Sequence, residues 1–278
     1  MSNEDRSNRV TPCYNLLSWN VRGMSSYAKR RHVIQYLRKH EIHFAFLQET
    51  HMSKERLGLL NRSWGGKIIG TTTSSFAKGV LMWIARTVPY VIANQRIDPE
   101  GRYVIAEGFL EGTPLTLAAI YAPNSGQNSY FDKITPALLD TPNSPIIWGG
   151  DFNTVPDIAL DRSNIPNPGA TCYGATAALK RWFSNTGTHD AWRALHPLSR
   201  EYSFYSPVHK IYTRLDLFAC KAALIPQIVN IKYLVAIHSD HNPLHMKIRW
   251  GRPRPLIPTW RMRTEALGDT AYRETIRL

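Results

Sequence analysis

Cysteine is scarce in this chain. Only Cys13, Cys172 and Cys220 occur in 278 residues. They are odd in number and far apart, with neither the spacing of a zinc site nor the density of a disulfide framework, which favours a reducing, intracellular setting. No apolar run approaches the ~18 residues needed to cross a bilayer, so no membrane partner is expected. The opening stretch MSNEDRSNRVTPC is polar and lacks the apolar region of a secretory signal. Repeats of fixed period are missing. Acidic residues are in deficit, 21 Asp and Glu against 34 Lys and Arg, which leaves a formal charge of +13. The segment 251–278 contributes six arginines against three acids, so most of the excess lies in the preceding residues. A basic surface favours a polyanionic partner.

What is present is ordinary for a globular protein: 43% hydrophobic and 20% charged residues. Residues 1–13 read as a disordered lead and 14–250 as one large domain. Residues 251–278 read as a linker, GRPRPLIP, followed by the start of a further element. Within 14–250, strand signals occur at 14–20, 43–48, 67–70, 79–85, 89–95, 145–149, 202–206, 212–220, 228–235 and 243–250. A hairpin is expected from 102–110 and 115–121 around the turn cluster 111–114. Helical periodicity marks 26–40, 127–139 and 174–186. About a dozen strands with few, well-spaced helices exclude strict βαβ alternation. They fit two packed sheets with helices outside, an α/β sandwich.

Six short polar clusters follow apolar strand signals, where a rigid scaffold can aim side chains into one cleft. These are Asn20 after LLSW, QETH (48–51) after FAFL, YAPN (121–124) after LTLAAI, GDFN (150–153) after PIIWG, Asp216 within YTRLDLF, and SDH (239–241) after LVAI. Any one alone is an ordinary turn or cap. Six carboxylate, amide or imidazole clusters in one chain point to convergence on a site. Glu49, Asp151 and Asp240 are hard oxygen donors suited to Mg²⁺, with Mn²⁺ as the alternative. A protonated His241 can donate to a phosphate oxygen, with Asp216 fixing its tautomer and raising its pKa. Asp151 can orient and deprotonate a water with Asn153 beside it. Tyr121, Asn20 and Asn124 are donors for developing phosphorane charge. A metal among the acids reconciles them with an anionic substrate held by the basic surface.

In this order the clusters WNVRG, LQET, YAPN, GGDFN, RLD and SDH resemble the signatures of the endonuclease/exonuclease/phosphatase (DNase I-like) superfamily over roughly 14–250. The resemblance implies a four-layer α/β sandwich of two mostly antiparallel sheets with outer helices. Further stretches, DPEGRYVIAEG (98–108), LQETH, HDAWRALHPLSREYSFYSP (189–207) and TRLDLF, resemble the LINE-type non-LTR retrotransposon branch. That branch implies a Mg²⁺-dependent endonuclease acting on double-stranded DNA in the nucleus. It nicks one strand to leave a 3′-hydroxyl for target-primed reverse transcription, with a reverse transcriptase in cis.

By this resemblance Asn20 and Glu49 hold metal with Asp240 nearby, Asp151 and Asn153 handle the nucleophile, and Tyr121 and Asn124 contact the scissile phosphate. Asp216 pairs with His241. Ser203 and Ser239 of the SDH cluster are expected to contact phosphate, and the hairpin carrying His209 and Lys210 approaches the DNA groove. Arg22 stands where repair-type members carry an Asp, which converts a metal contact into a phosphate contact. Asp190 and Trp192 read as structural. The competing readings are an abasic-site repair enzyme, a phosphodiesterase of small molecules or lipids, and a non-catalytic DNA-binding module.

Overall fold

The structure is a computed structural model that describes residues 9–71, 78–139, 144–165, 171–251 and 254–255. Cys13–Gly251 forms one compact unit, and Met1–Pro12 with Arg252–Leu278 forms another. In the latter, β1 (Arg9–Val10) pairs antiparallel with Arg254–Pro255. The helical stretch expected over 259–278 lies outside the described residues.

The strands of the larger unit are, in chain order, β2 (Cys13–Asn20), β3 (Phe44–Gln48), β4 (Gly66–Gly70), β5 (Val80–Ala85), β6 (Tyr90–Ile97), β7 (Tyr103–Leu110) and β8 (Thr113–Tyr121). They continue with β9 (Ile146–Asp151), β10 (Thr188–Asp190), β11 (Phe204–Ser206), β12 (Ile211–Thr213), β13 (Asp216–Lys221), β14 (Ile228–Tyr233) and β15 (Leu244–Arg249). The helices are α1 (Tyr27–Lys39), α2 (Lys54–Ser63), α3 (Gln127–Leu139), α4 (Thr171–Thr186) and the short α5 (Ala191–Leu195).

Two six-stranded sheets form, in the orders β14-β15-β2-β3-β5-β4 and β10-β13-β9-β8-β7-β6. Each holds one parallel pair, β2 with β3 and β8 with β9; the other neighbours run antiparallel. Helices cover the outer faces, so the architecture is the α/β sandwich expected from the sequence.

Alternation along the strands produces the layers. In β3, Phe44 and Phe46 enter the core between the sheets, while Ala45 and Leu47 pack with Val33, Ile34 and Leu37 of α1. Ser26 caps α1 by accepting from the Lys29 backbone N–H at 3.2 Å. In β9, Ile147 faces the central core, whereas Ile146 and Trp148 pack with Phe131 of α3 and Trp182 of α4. All seven described tryptophans are buried, so the aromatic content builds core. Gly149 leaves room for the neighbouring Phe218 ring and for Phe46 of the facing sheet, since a Cβ there would lie 2.5 Å from both.

Two local features differ from the sequence reading. α2 went unforeseen because its sequence KERLGLLNRS carries Gly58 and Asn61 within a short apolar pattern; Ser53 caps it. The stretch read as one strand over 212–220 is two, interrupted at Arg214-Leu215. There the fully buried Arg214 guanidinium turns to Asp161, at 2.7 and 2.9 Å, and to Asp190, at 2.5 Å. Asp190 also caps α5 and Trp192 is buried, which gives both the structural roles expected of them.

Candidate active site

Strand register places the site. Tyr121 ends β8 opposite Asp151 at the end of β9, and Asp216 at the start of β13 also pairs with Asp151. Asn20 ends β2 opposite Gln48 at the end of β3. Each shares parity with residues of the central core: Asn20 with Leu16, Asp151 with Ile147, Tyr121 with Leu117 and Ala119, and Asp216 with Phe218 and Cys220. Polar residues at the terminal inward position of four strands, last in β2, β8 and β9 and first in β13, therefore meet at one rim.

Hydrogen bonds confirm the meeting. The Asn20 amide donates to Glu49 Oε1 at 2.9 Å and to Asp151 Oδ2 at 3.0 Å, and so bridges the sheets. Its carbonyl oxygen accepts from the Arg22 backbone N–H at 3.0 Å. Tyr121 donates its hydroxyl to Glu49 Oε1 at 2.8 Å. His241 Nδ1 bonds Asp216 Oδ2 at 2.8 Å, and its Nε2 lies 3.9 Å from Asp151 Oδ2. The Asn153 backbone N–H donates to Asp151 Oδ1 at 2.9 Å, while its side-chain amide is anchored on Ala122 O.

Arg22, Glu49, Asn124, Asp151, Asn153, Phe204, Leu215, Asp240 and His241 line a cleft of about 290 Å³. Arg22, Glu49, His51 and Asn153 all have φ between 47° and 52°. Left-handed backbone at four non-glycine residues around one cleft is strain of the kind stored at functional sites.

Electrostatics set the protonation states. Burial is the largest influence on Asp151. With the Asp216 charge it outweighs His241 and the hydrogen bonds from Asn20 and Asn153, and the carboxyl is pushed up to about 7. Burial alone would lower His241, but the charge and hydrogen bond of Asp216, with the charges of Asp151 and Asp240, raise it to about 9. The imidazole is therefore cationic at neutral pH. Tyr121 is raised, by burial first and then by Glu49 and Asp151, so its hydroxyl remains a donor.

The donor set fits a divalent metal. Asp151 and Asp216 bring carboxylate oxygens within 4.8 Å of one another, with the cationic His241 beside them as a donor and not a ligand, and Asp216 Oδ1 has no hydrogen-bond partner among the described residues. Glu49 and Asp240 are partly open to the same cleft. Hard carboxylate oxygens gathered in this way suit a cation such as Mg²⁺ or Ca²⁺.

Some expected residues sit elsewhere. Ser203 is 1% exposed, and its Oγ accepts from the backbone N–H groups of Leu215 and Asp216 at 3.0 and 3.1 Å. It lies behind Asp216 and does not line the cleft. Ser239 donates to Asn20 O at 2.7 Å and accepts from the His241 backbone N–H at 3.2 Å, which ties the SDH loop to β2. Arg22 does line the cleft, at its exposed edge, where it pairs with Asp240 at 3.2 Å. His209 and Lys210 occupy the turn between β11 and β12, exposed and outside the cleft lining. Phe204, whose ring lies 4.6 Å from that of His241, was not singled out from sequence because an apolar residue among aromatics carries no chemical signature.

The profile of the Endonuclease/Exonuclease/phosphatase family matches residues 17–241, most of the chain. The chain belongs to that family. It is an enzyme of this family, with the site described above at the rim of its two sheets. Among similar proteins, a transposon TX1 uncharacterized 149 kDa protein of Xenopus laevis is 24% identical over 264 residues. That match covers 93% of this chain and 20% of the relative, so the chain spans about a fifth of that protein's length. An exodeoxyribonuclease of Bacillus subtilis is 25% identical over 258 residues, which cover 84% of this chain and 98% of the relative. An AP endonuclease from Leishmania major superposes with a TM-score of 0.71 at 18% identity, covering 86% of this chain and 88% of the other. An AP endonuclease from Archaeoglobus fulgidus does so at 0.64 and 20%, covering 84% and 98%. These likenesses to solved structures support the DNase I-like fold.

Proposed function

We propose that the chain is a Mg²⁺-dependent DNA endonuclease of a LINE-type retrotransposon. It nicks one strand of double-stranded DNA and leaves a 3′-hydroxyl to prime reverse transcription in the nucleus. The observation that carries the hydrolytic chemistry is the Asp216–His241–Asp151 alignment across the cleft from Glu49, Asn20 and Tyr121. The +13 charge favours nucleic acid over a neutral phosphoester. Similarity over 93% of the chain to a transposon protein favours the retrotransposon setting, with a reverse transcriptase in cis as partner.

Asp151, poised near neutrality, accepts the proton of a water that attacks the phosphorus. The Asn153 backbone and the Asn20 amide hold the carboxylate in place. His241, kept cationic by Asp216, donates to a non-bridging oxygen as charge grows there. Tyr121 and Asn124 supply further donors at the cleft. Mg²⁺ or Mn²⁺ held by Glu49, with Asp240 nearby, supplies Lewis-acid polarisation of the phosphoryl group when bound.

The likeness to AP endonucleases favours one alternative, cleavage at abasic sites. End-labelled intact and abasic duplexes, followed by polymerase extension of the products, separate the two. Extendable nicks in intact duplex at rates comparable to abasic duplex support the proposal. Cleavage confined to the abasic duplex refutes it.

A further inference from the structure

Arg102 lies outside the cleft lining and carries no role so far, yet its side chain rests on the ring of Tyr121. The guanidinium carbon is 4.8 Å from the ring centroid. The arrangement is held from both ends. The Arg102 carbonyl accepts from the Tyr121 backbone N–H at 2.7 Å, and the Arg102 backbone N–H donates to Asp98 Oδ2 at 2.9 Å. Its Nη1 reaches the Ala122 carbonyl at 3.5 Å. Its guanidinium charge is directed at the ring face.

We infer that Arg102 is a positioning residue for Tyr121: its guanidinium clamps the ring and strengthens the hydroxyl as a donor, which holds Glu49 in its working orientation. Two physical effects support this. A cation on a π-face is attracted by the ring quadrupole, so the ring is pinned in one rotamer. The same cation withdraws electron density from the phenol, and the Tyr121 hydroxyl is the group that donates to Glu49 Oε1 at 2.8 Å. The opposing possibility is that Arg102 acts on substrate directly, because it also borders a neighbouring cleft of about 300 Å³ together with Lys78 and Lys133.

The inference rests on the site hydrolysing a phosphodiester, and the test separates the two. Arg102→Met and Arg102→Lys would be assayed on supercoiled plasmid and on bis(4-nitrophenyl) phosphate, alone and in a Tyr121→Leu background. A crystal structure of Arg102→Met would be determined as well. Arg102→Met is expected to lower kcat about tenfold on both substrates with KM changed less than twofold. Lysine should restore at least a third of the activity, and Arg102→Met should have under a twofold effect once Tyr121 is Leu. In the crystal the Tyr121 hydroxyl is expected to leave Glu49. A loss confined to plasmid and expressed in KM, or one that persists fully with Tyr121→Leu, would assign Arg102 to DNA binding and overturn the inference. An unmoved Tyr121 hydroxyl in the variant crystal would overturn it even if wild-type protein hydrolysed neither substrate, an outcome that would itself refute the proposed function.

Discussion

Replacing Asp216 by Asn should shift the pH dependence of nicking in a defined direction. In the wild type His241 sits at about 9 against an ordinary value of 6.5, and the Asp216 charge and its 2.8 Å hydrogen bond are the chief influences that raise it. Asparagine keeps the shape and removes the charge. Burial then opposes the cation more effectively, and the imidazole returns toward 6.5 or below. At pH 7.5 a group at 9 is ~97% protonated and one at 6.5 is ~9% protonated, about a tenfold loss of the charged donor. Single-turnover nicking of supercoiled plasmid between pH 5.5 and 9.5 reads this directly. The wild-type rate should begin to fall only near pH 9, while the variant should already decline above about pH 6.5. The sign for stability is the same. A raised histidine contributes fully below about 6.5, and that contribution is lost as pH rises through 9. Metal-free thermal melts should show this loss in the wild type and little of it in the variant. An Asp216→Asn enzyme whose alkaline limb coincides with that of the wild type would refute the assignment of His241 as a cationic donor.

Asp151→Asn should abolish nicking yet raise the metal-free melting temperature at pH 7.5. A carboxyl pushed from 3.8 to about 7 costs the fold increasing stability as pH rises across that interval, at most about 4 kcal/mol. A lower melting temperature would contradict this. Gly149→Ala should destabilise by about 1–3 kcal/mol in urea unfolding, because its Cβ meets Phe218 and Phe46 at 2.5 Å in the close-packed core between the sheets; a neutral effect would show that the sheets have slack there. Arg214→Leu should cost about 3–5 kcal/mol by the same measurement, since it leaves Asp161 and Asp190 buried with their main cation gone. A loss below 1 kcal/mol would show that the network is structurally dispensable.

Much of the site was legible because its residues end apolar strands. The run PIIWGGD places Asp151 at a strand end, and period-two alternation sends it inward with Ile147. The same reasoning reaches Asn20, Tyr121 and Asp216. Ser203 was less legible. Its hydroxyl type fits phosphate binding, but only the fold shows it taken up by the backbone beneath Asp216. Asn20 was expected as a metal ligand, and its amide bridges Glu49 and Asp151. Which end of an amide faces a neighbour is set by partners far apart in sequence. Arg102 stood in the stretch DPEGRYVIAEG as a mark of resemblance alone, since stacking on Tyr121 depends on the pairing of β7 with β8. The break at Arg214 was hidden because a charged residue inside an apolar run gives no notice that Asp161 and Asp190 will meet it.

The most direct measurement is conversion of supercoiled plasmid to open circle by this chain in Mg²⁺, with EDTA and Asp151→Ala as controls. The account predicts open circle that requires both the metal and Asp151, with little linear product. A well-folded protein that leaves the plasmid supercoiled in Mg²⁺, or an Asp151→Ala variant that nicks at the wild-type rate, would contradict it.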